Sequence, residues 1–348
     1  MIQFCMKRKI LLNGVGRIGK AVLKILLDDK NFEVVTINEI NPYIKNIVYS
    51  INYDSTYGNI SDKFKVVDDN NIQNNTSKIK ILNHSSLFDI DLSNIDIIID
   101  ASGKKEDINK LNSLDVEAVF LTHPNSKADI NVILGVNEQE LNYKKHKVIS
   151  TSSCNATALL PALHLINEKK QIVCADIVTI HPLLNHQRVL DGGFVKSDTR
   201  DVECNFEFGR SSTQNIIPNK TTTIKACSYI IPEFNSELIS SSSLRVPTDT
   251  VGAINVTLFV EKSCTKDEMI NIFQEYEDNQ KFKVMLNNHE PLVSSDFKKE
   301  THTTIIDHRY TDVKNQKMIK LLLWYDNEWG YASKVVDILK FYQDIKKG

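Results

Sequence analysis

Long apolar runs, paired cysteines and an excess of charge are all missing from this chain. No stretch comes near the 18 or so consecutive apolar residues that a membrane helix needs, so no membrane partner is expected. The N-terminus, Met1-Ile2-Gln3-Phe4-Cys5-Met6, reads as too short for a signal peptide. Met6 stands as an alternative start, since the first convincing strand follows it directly. A formal net charge of −2 over 348 residues gives no electrostatic case for a nucleic-acid partner. The six cysteines, at positions 5, 154, 174, 204, 227 and 264, include no CxxC pair and no short metal-ligand spacing. That pattern excludes a disulfide scaffold and a metal site, and reads as reduced thiols in a cytoplasmic protein. No internal repeat is visible. What remains is a hydrophobic fraction of 41% and a charged fraction of 25%, ordinary for a soluble globular chain long enough for two domains.

The first half carries a phosphate-binding turn. Lys9-Ile10-Leu11-Leu12 reads as a strand running into Asn13-Gly14-Val15-Gly16-Arg17-Ile18-Gly19, with an amphipathic helical stretch from Lys20 to Leu27 behind it. In such a Gly-x-Gly-x-x-Gly turn Gly14 makes the tight bend, Gly16 lets a pyrophosphate approach the backbone, and Gly19 lets helix and strand pack closely. The helix N-terminus then offers N–H donors to the phosphates. A second strand, Phe32 to Ile37, ends at Asn38-Glu39, and Glu39 lies 20 positions beyond Gly19, where a carboxylate receives ribose hydroxyls. An acidic group there repels a 2′-phosphate, so the expected cofactor is NAD, not NADP. Further strands are expected at Ile95 to Asp100, Ala118 to Thr122 and Lys147 to Ile149, with Ser102 and Thr122 at the carboxyl edge near the cofactor. The Asn-rich segment from Lys63 to Leu92 reads as hairpins inserted into this doubly wound domain.

From Gln171 the pattern changes to long strands: Ile172 to Ile180, Ile224 to Ile231, Ala253 to Val260 and Met318 to Tyr325. Ser240 to Ser243 reads as a turn into a strand, and Lys334 to Ile345 as a terminal helix. The polar stretch from Leu190 to Thr213 is long enough to be functional or to form an interface. Cys154 sits in Ser-Thr-Ser-Ser-Cys-Asn-Ala-Thr, between a strand and a helical stretch, where the helix dipole and free N–H groups favour a thiolate. His181 ends a strand 27 positions later, and cysteine with histidine is an acyl-chemistry pair if the fold joins them.

These motifs, with Tyr53-Asp54-Ser55-Thr56, Asn215-Ile216-Ile217-Pro218, Arg245-Val246-Pro247-Thr248, Val293-Ser294-Ser295-Asp296-Phe297 and Trp324-Tyr325-Asp326-Asn327-Glu328-Trp329-Gly330, occur in the order of the glyceraldehyde-3-phosphate dehydrogenase family. The resemblance covers nearly the whole chain. It implies a Rossmann-type doubly wound parallel sheet plus an α+β catalytic domain with a mixed sheet. The NAD-binding domain would span residues 1–153, completed by a C-terminal helix at about 330–348, with catalysis and oligomerisation in 154–329. A homotetramer acting on a phosphorylated aldose is implied. Cys154 resembles the nucleophile that adds to the aldehyde, and His181 the general base. Arg245 and Thr221 resemble the phosphate-site residues, to which Ser153, Asn155 and His186 are added by position. Asn327 resembles the asparagine that holds the nicotinamide carboxamide, and Arg17 and Ile18 resemble cofactor contacts.

Three departures stand out. The run after Cys154 is Asn155-Ala156-Thr157-Ala158, where the family has two threonines, an asparagine and a second cysteine. Leu184 and His186 stand where the family's glyceraldehyde-3-phosphate member has threonines, and Thr222 replaces a glycine. Ile37-Asn38-Glu39, Thr122-His123-Pro124 and the His181, His186-Gln187, Leu190-Asp191 spacing resemble the erythrose-4-phosphate dehydrogenase branch. That branch implies water as acyl acceptor and 4-phosphoerythronate as product, on the way to pyridoxal phosphate, and it is slightly preferred. The glycolytic reaction with phosphate as acceptor is the alternative, and a non-catalytic NAD-binding protein is a third reading. The 190–210 loop is longer than the family's usual one; Lys196, Arg200 and Arg210 in it could be phosphate ligands or solvated side chains, and Lys196 and Arg200 read as solvated.

Overall fold

The computed structural model describes residues 7–192 and 206–347, so Lys196 and Arg200 lie outside the described residues. The chain divides into two compact units, Met1–Ser153 with Glu328–Gly348, and Cys154–Asn327. Both are mixed α/β.

In the first unit β1 (Arg8–Asn13) leads through α1 (Arg17–Leu27) to β2 (Phe32–Asn38). Then come α2 (Ile44–Asn52), β3 (Lys65–Asp68), β4 (Asn71–Gln73), β5 (Lys78–Leu82), β6 (Ile97–Asp100), α3 (Ile108–Ser113), β7 (Ala118–Leu121), β8 (Ile130–Asn131) and β9 (Val148–Ser150). The sheet order is β3-β4-β5-β2-β1-β6-β7-β9-β8. Strand β1 runs parallel to β2 on one side and to β6 on the other, so its carboxyl end is the place where the winding reverses. Ligands bind at such a switch point, and the glycine turn sits there. Ile10, Leu11 and Leu12 are wholly buried, as a strand covered on both faces requires. The Lys63–Leu92 segment is not only hairpins. Strands β3, β4 and β5 form an antiparallel meander, but β5 also joins β2 in parallel and extends the main sheet.

The second unit opens with α4 (Cys154–Lys170), followed by β10 (Ile172–His181), β11 (Ile217–Asn219), α5 (Thr223–Ser228), β12 (Ile239–Arg245), β13 (Gly252–Val260) and α6 (Lys266–Asn279). Strands β14 (Met285–Asn288), β15 (Thr304–Asp307), β16 (Asp312–Lys314) and β17 (Met318–Tyr325) complete it. The sheet order is β11-β12-β10-β13-β17-β15-β14, with β16 pairing β17. Helix α4 lies on one face, and Thr304 donates from that face to the Ala158 carbonyl at 2.9 Å. The other face alternates outward and stays open, presenting Asp176, Val178, Ser240, Ser242, Thr257, Phe259, Lys320 and Leu322. A last helix, α7 (Trp329–Lys347), belongs to the first unit, where it packs on α1. Tyr342 meets Phe120 edge-on at 5.6 Å, and Lys340 pairs with Asp29 at 3.0 Å.

Two sequence expectations fail here. The strand expected at Ile224–Ile231 is largely the helix α5: Thr223, Ile224, Ala226 and Cys227 are its buried residues, a helical spacing that the apolar content hid. The serine run is not a turn but the body of β12. Ser243 is buried and accepts from the Thr179 hydroxyl at 2.8 Å, and Ser240 donates to Asp176, so cross-strand hydroxyl pairing replaces apolar packing. The terminal helix also starts five residues earlier than Lys334.

Candidate active site

The glycine turn fits a dinucleotide. Gly14 has φ +88°, and a Cβ there would lie 2.8 Å from the Ser102 backbone. A Cβ on Gly19 would meet the Gly14 carbonyl oxygen at 2.0 Å, so neither position admits a side chain. Gly16 has open space around its would-be Cβ, as backbone approach by a ligand requires. Helix α1 has no side-chain cap and no acidic residue in its first turn, leaving its N–H groups to an anion. Glu39 accepts from the Val15 N–H at 2.9 Å and the Asn41 N–H at 3.2 Å, which holds its carboxylate against the turn. Its remaining lone pairs can accept from two adjacent ribose hydroxyls.

Asp100, wholly buried at the end of β6, ties this edge together. Its Oδ1 accepts from Asn13 at 2.8 Å and from the Ser102 hydroxyl and N–H at 2.6 and 3.1 Å. Asn13 in turn accepts from Asn38 at 2.8 Å, and Thr122 donates to the Asp100 carbonyl at 3.1 Å. Ser102 and Thr122 therefore shape the carboxyl edge with their side chains already engaged. Arg17 is engaged too: its guanidinium pairs with Asp54 at 2.7 Å and with Glu328 at 2.6 Å. It clamps the start of α1 to the 53–58 loop and to the approach to α7. Ile18 is half-buried in the first helical turn.

In the second unit strand register assembles the chemistry. Strands β10 and β12 pair in parallel, with His181 opposite Arg245 at their carboxyl ends. Tyr325 faces Gly252 across β17 and β13, and its ring lies where a Cβ on Gly252 would be at 2.6 Å. Cys154 is the first residue of α4, whose N-terminal dipole favours a negative sulfur. Ser152, two residues earlier, is buried with φ 61°, a left-handed turn that ends β9 before the helix begins. Ser153 is half-buried between them.

The Cys154 sulfur lies 3.9 Å from His181 Nε2. His181 Nδ1 is 2.9 Å from the Pro182 carbonyl oxygen, which can only accept, so Nδ1 carries the proton. In the neutral ring Nε2 then presents its lone pair to the thiol. Burial, and next the neighbouring Arg245 charge, push the imidazole down to about 3. Arg245 keeps Nε and Nη1 buried with no hydrogen-bond partner among the described residues, and its charge attracts a thiolate at Cys154. Unpaired buried guanidinium donors are costly and fit an anionic ligand. His186 is exposed and stacks on Phe208 at 5.7 Å. Burial of its ring atoms and the Arg245 charge lower its pKa, so it is neutral near pH 7 and does not add a second cation.

Asn155 joins the cysteine to the sheet and to α5. It is buried at 9% exposure, and its Oδ1 accepts from the Tyr325 hydroxyl at 2.6 Å and from the Cys154 thiol at 3.5 Å. Its Nδ2 donates to Thr223 at 3.2 Å, and Thr223 lies 2.6 Å from the Thr221 hydroxyl. Tyr325 and Thr223 were not singled out from sequence, because nothing local marks them. Asn327 is buried, and its Oδ1 accepts from Val251 N–H and the Thr250 hydroxyl at 3.1 and 3.2 Å. Arg210 pairs with Asp191 at 3.1 Å and is exposed.

Comparison with known proteins gives a consistent picture. The family model described as glyceraldehyde 3-phosphate dehydrogenase, NAD binding domain, matches residues 8–108, and the C-terminal domain model of the same family matches residues 153–327. The chain is 34% identical over 340 residues to glyceraldehyde-3-phosphate dehydrogenase 2 of Staphylococcus aureus (strain MRSA252), covering 96% of this chain and 95% of that protein. It is 30% identical over 338 residues to glyceraldehyde-3-phosphate dehydrogenase 1 of Bacillus cereus, covering 96% and 98%. The glyceraldehyde-3-phosphate dehydrogenase of Priestia megaterium (strain DSM 319 / IMG 1521) is also 30% identical, covering 96% and 97%.

The turn geometry generates a prediction for the cofactor. Glu39→Ala is expected to raise the KM for NAD roughly tenfold or more, the worth of a charged hydrogen bond, and to relax discrimination against NADP. Steady-state kinetics with both cofactors would check it; an unchanged NAD to NADP ratio would remove Glu39 from ribose recognition.

Proposed function

Because the chain belongs to the glyceraldehyde-3-phosphate dehydrogenase family and is an NAD-dependent oxidoreductase, we propose that it oxidises a phosphorylated aldehyde through a thioester on Cys154. The observation that carries this reading is the facing pair of Cys154 sulfur and His181 Nε2, 3.9 Å apart, beside Arg245, whose Nε and Nη1 have no partner among the described residues.

His181 takes the thiol proton, and the sulfur adds to the aldehyde carbon. The carbonyl oxygen takes up that proton to give a thiohemiacetal. His181 then removes it again as hydride leaves the same carbon, and the C–O double bond re-forms as a thioester. Bound NAD supplies the hydride acceptor, held by the glycine turn and Glu39 in the first unit. General-base assistance of this kind is worth about 10²–10⁴-fold in rate. The acyl group then passes to an incoming oxygen nucleophile, and the sulfur leaves as thiolate, stabilised by the helix N-terminus and Arg245.

Glyceraldehyde 3-phosphate with inorganic phosphate as acceptor is the favoured substrate pair. Arg245 Nε and Nη1, without a partner among the described residues, support an anion at the acceptor position, and the relatives are named as glyceraldehyde-3-phosphate dehydrogenases. The slight sequence preference for erythrose 4-phosphate and water becomes the second reading. It is favoured by Leu184, which has no side-chain donor, and by a neutral His186. A change of about 2–3 kcal/mol in barrier, roughly 30- to 150-fold in rate, is enough to decide between the two.

NADH formation by the purified protein, with each aldehyde and with or without inorganic phosphate, tests this. Turnover of glyceraldehyde 3-phosphate that needs phosphate and is lost in Cys154→Ser is expected. Erythrose 4-phosphate turnover indifferent to phosphate would shift the assignment to the hydrolytic reaction, and full activity in Cys154→Ser would end the thioester reading.

We propose further that the chain is a homotetramer, as the family resemblance implies, with the outer face of the second sheet as one of its contacts; Phe259 stands 45% exposed there among alternating apolar and polar residues. Sedimentation should give four times the chain mass, reduced by Phe259→Glu; a monomer at micromolar concentration would contradict it.

A further inference from the structure

We infer that Asn155 is a positioning residue: it sets the direction of a hydrogen-bond chain that ends with the Thr221 hydroxyl proton turned outward, toward an anion. The inference rests on the phosphate-acceptor reading above and says how this chain maintains that site with an altered run after its cysteine.

The direction follows from donor and acceptor counting. The oxygen end of the Asn155 amide accepts from the Tyr325 hydroxyl at 2.6 Å and lies 3.5 Å from the Cys154 sulfur. The amide nitrogen is therefore the end that meets Thr223, 3.2 Å away, and it can only donate. Thr223 is 2% exposed, and its hydroxyl proton needs an acceptor; Thr221 Oγ1 lies 2.6 Å off. Thr221 Oγ1 also accepts from the Thr223 N–H at 3.2 Å. With both lone pairs occupied, the half-buried Thr221 must direct its own proton away from the chain. Every link lies in the second unit, and none of it uses a substrate contact by Asn155. The chain has a fixed polarity because an amide has one accepting end and one donating end. A threonine in place of Asn155 could rotate its proton toward or away from Thr223, whereas the amide nitrogen in this orientation only donates to it.

Alkylation of Cys154 by iodoacetamide, titrated with inorganic phosphate, tests this without turnover. Phosphate is expected to protect the wild-type cysteine. Asn155→Leu and Thr223→Val should each raise the half-protecting phosphate concentration about tenfold, as Thr221→Val does. Each should change it less than twofold when added to Thr221→Val, since all three act through one hydroxyl. A merely structural role would add in full on the Thr221→Val background. Full additivity, or unchanged protection in Asn155→Leu and Thr223→Val, would overturn the positioning role while leaving the anion site intact. Wild-type Cys154 unprotected by phosphate would overturn the anion reading and the positioning role together.

Discussion

The proposed chemistry of the second unit depends on an imidazole that is kept neutral. Burial and the adjacent Arg245 charge both oppose protonation of His181, and the Pro182 carbonyl claims its Nδ1 proton. The result is a lone pair on Nε2 aimed at the Cys154 sulfur. The parallel register that puts His181 beside Arg245 does two things at once. It brings a cation where a thiolate and an anionic substrate would form, and it holds the base in its accepting form. The same burial has a thermodynamic side. A folded-state value of about 3 lies below the usual 6.5, so the unfolded chain binds the proton more readily between them. Stability from this group is present above pH 6.5 and is lost as pH falls toward 3.

In the first unit, close backbone approach does the equivalent work. Gly14 and Gly19 leave no room for a Cβ because the turn is folded against Ser102 and against itself. The Asn38, Asn13, Asp100 and Ser102 chain joins three parallel strand ends beneath that turn. A buried carboxylate with several donors is a rigid support, and a rigid support suits a site that recognises phosphate through backbone N–H groups.

Legibility in the sequence followed the range of the interactions. The glycine turn, the strand after it and Glu39 are local signals with tight steric meaning, and they read directly. Cys154 and His181 were visible as residue types at element ends, although their meeting depends on the sheet of the second unit. Arg17 illustrates the limit: the resemblance marked it as a cofactor contact, but no local signal announces the ion pairs of its side chain with Asp54 and with Glu328, 311 positions away. Tyr325 and Asn155 are 170 positions apart, and no local pattern announces their bond. Helix α5 misled because alternating apolar residues in a short segment satisfy strand and helix periods alike. Strand β12 misled because serines stabilise it through cross-strand hydroxyl bonds, an interaction that composition scales count as loop-like.

The central claim is that Cys154 carries the acyl group. The direct measurement is a rapid-mixing experiment with NAD and glyceraldehyde 3-phosphate in the absence of phosphate, followed by intact-mass and peptide analysis. A burst of one NADH per chain, with an acyl adduct on the Cys154 peptide that disappears when phosphate is added, is the predicted result. NADH formation with no burst and no adduct on Cys154 would contradict it.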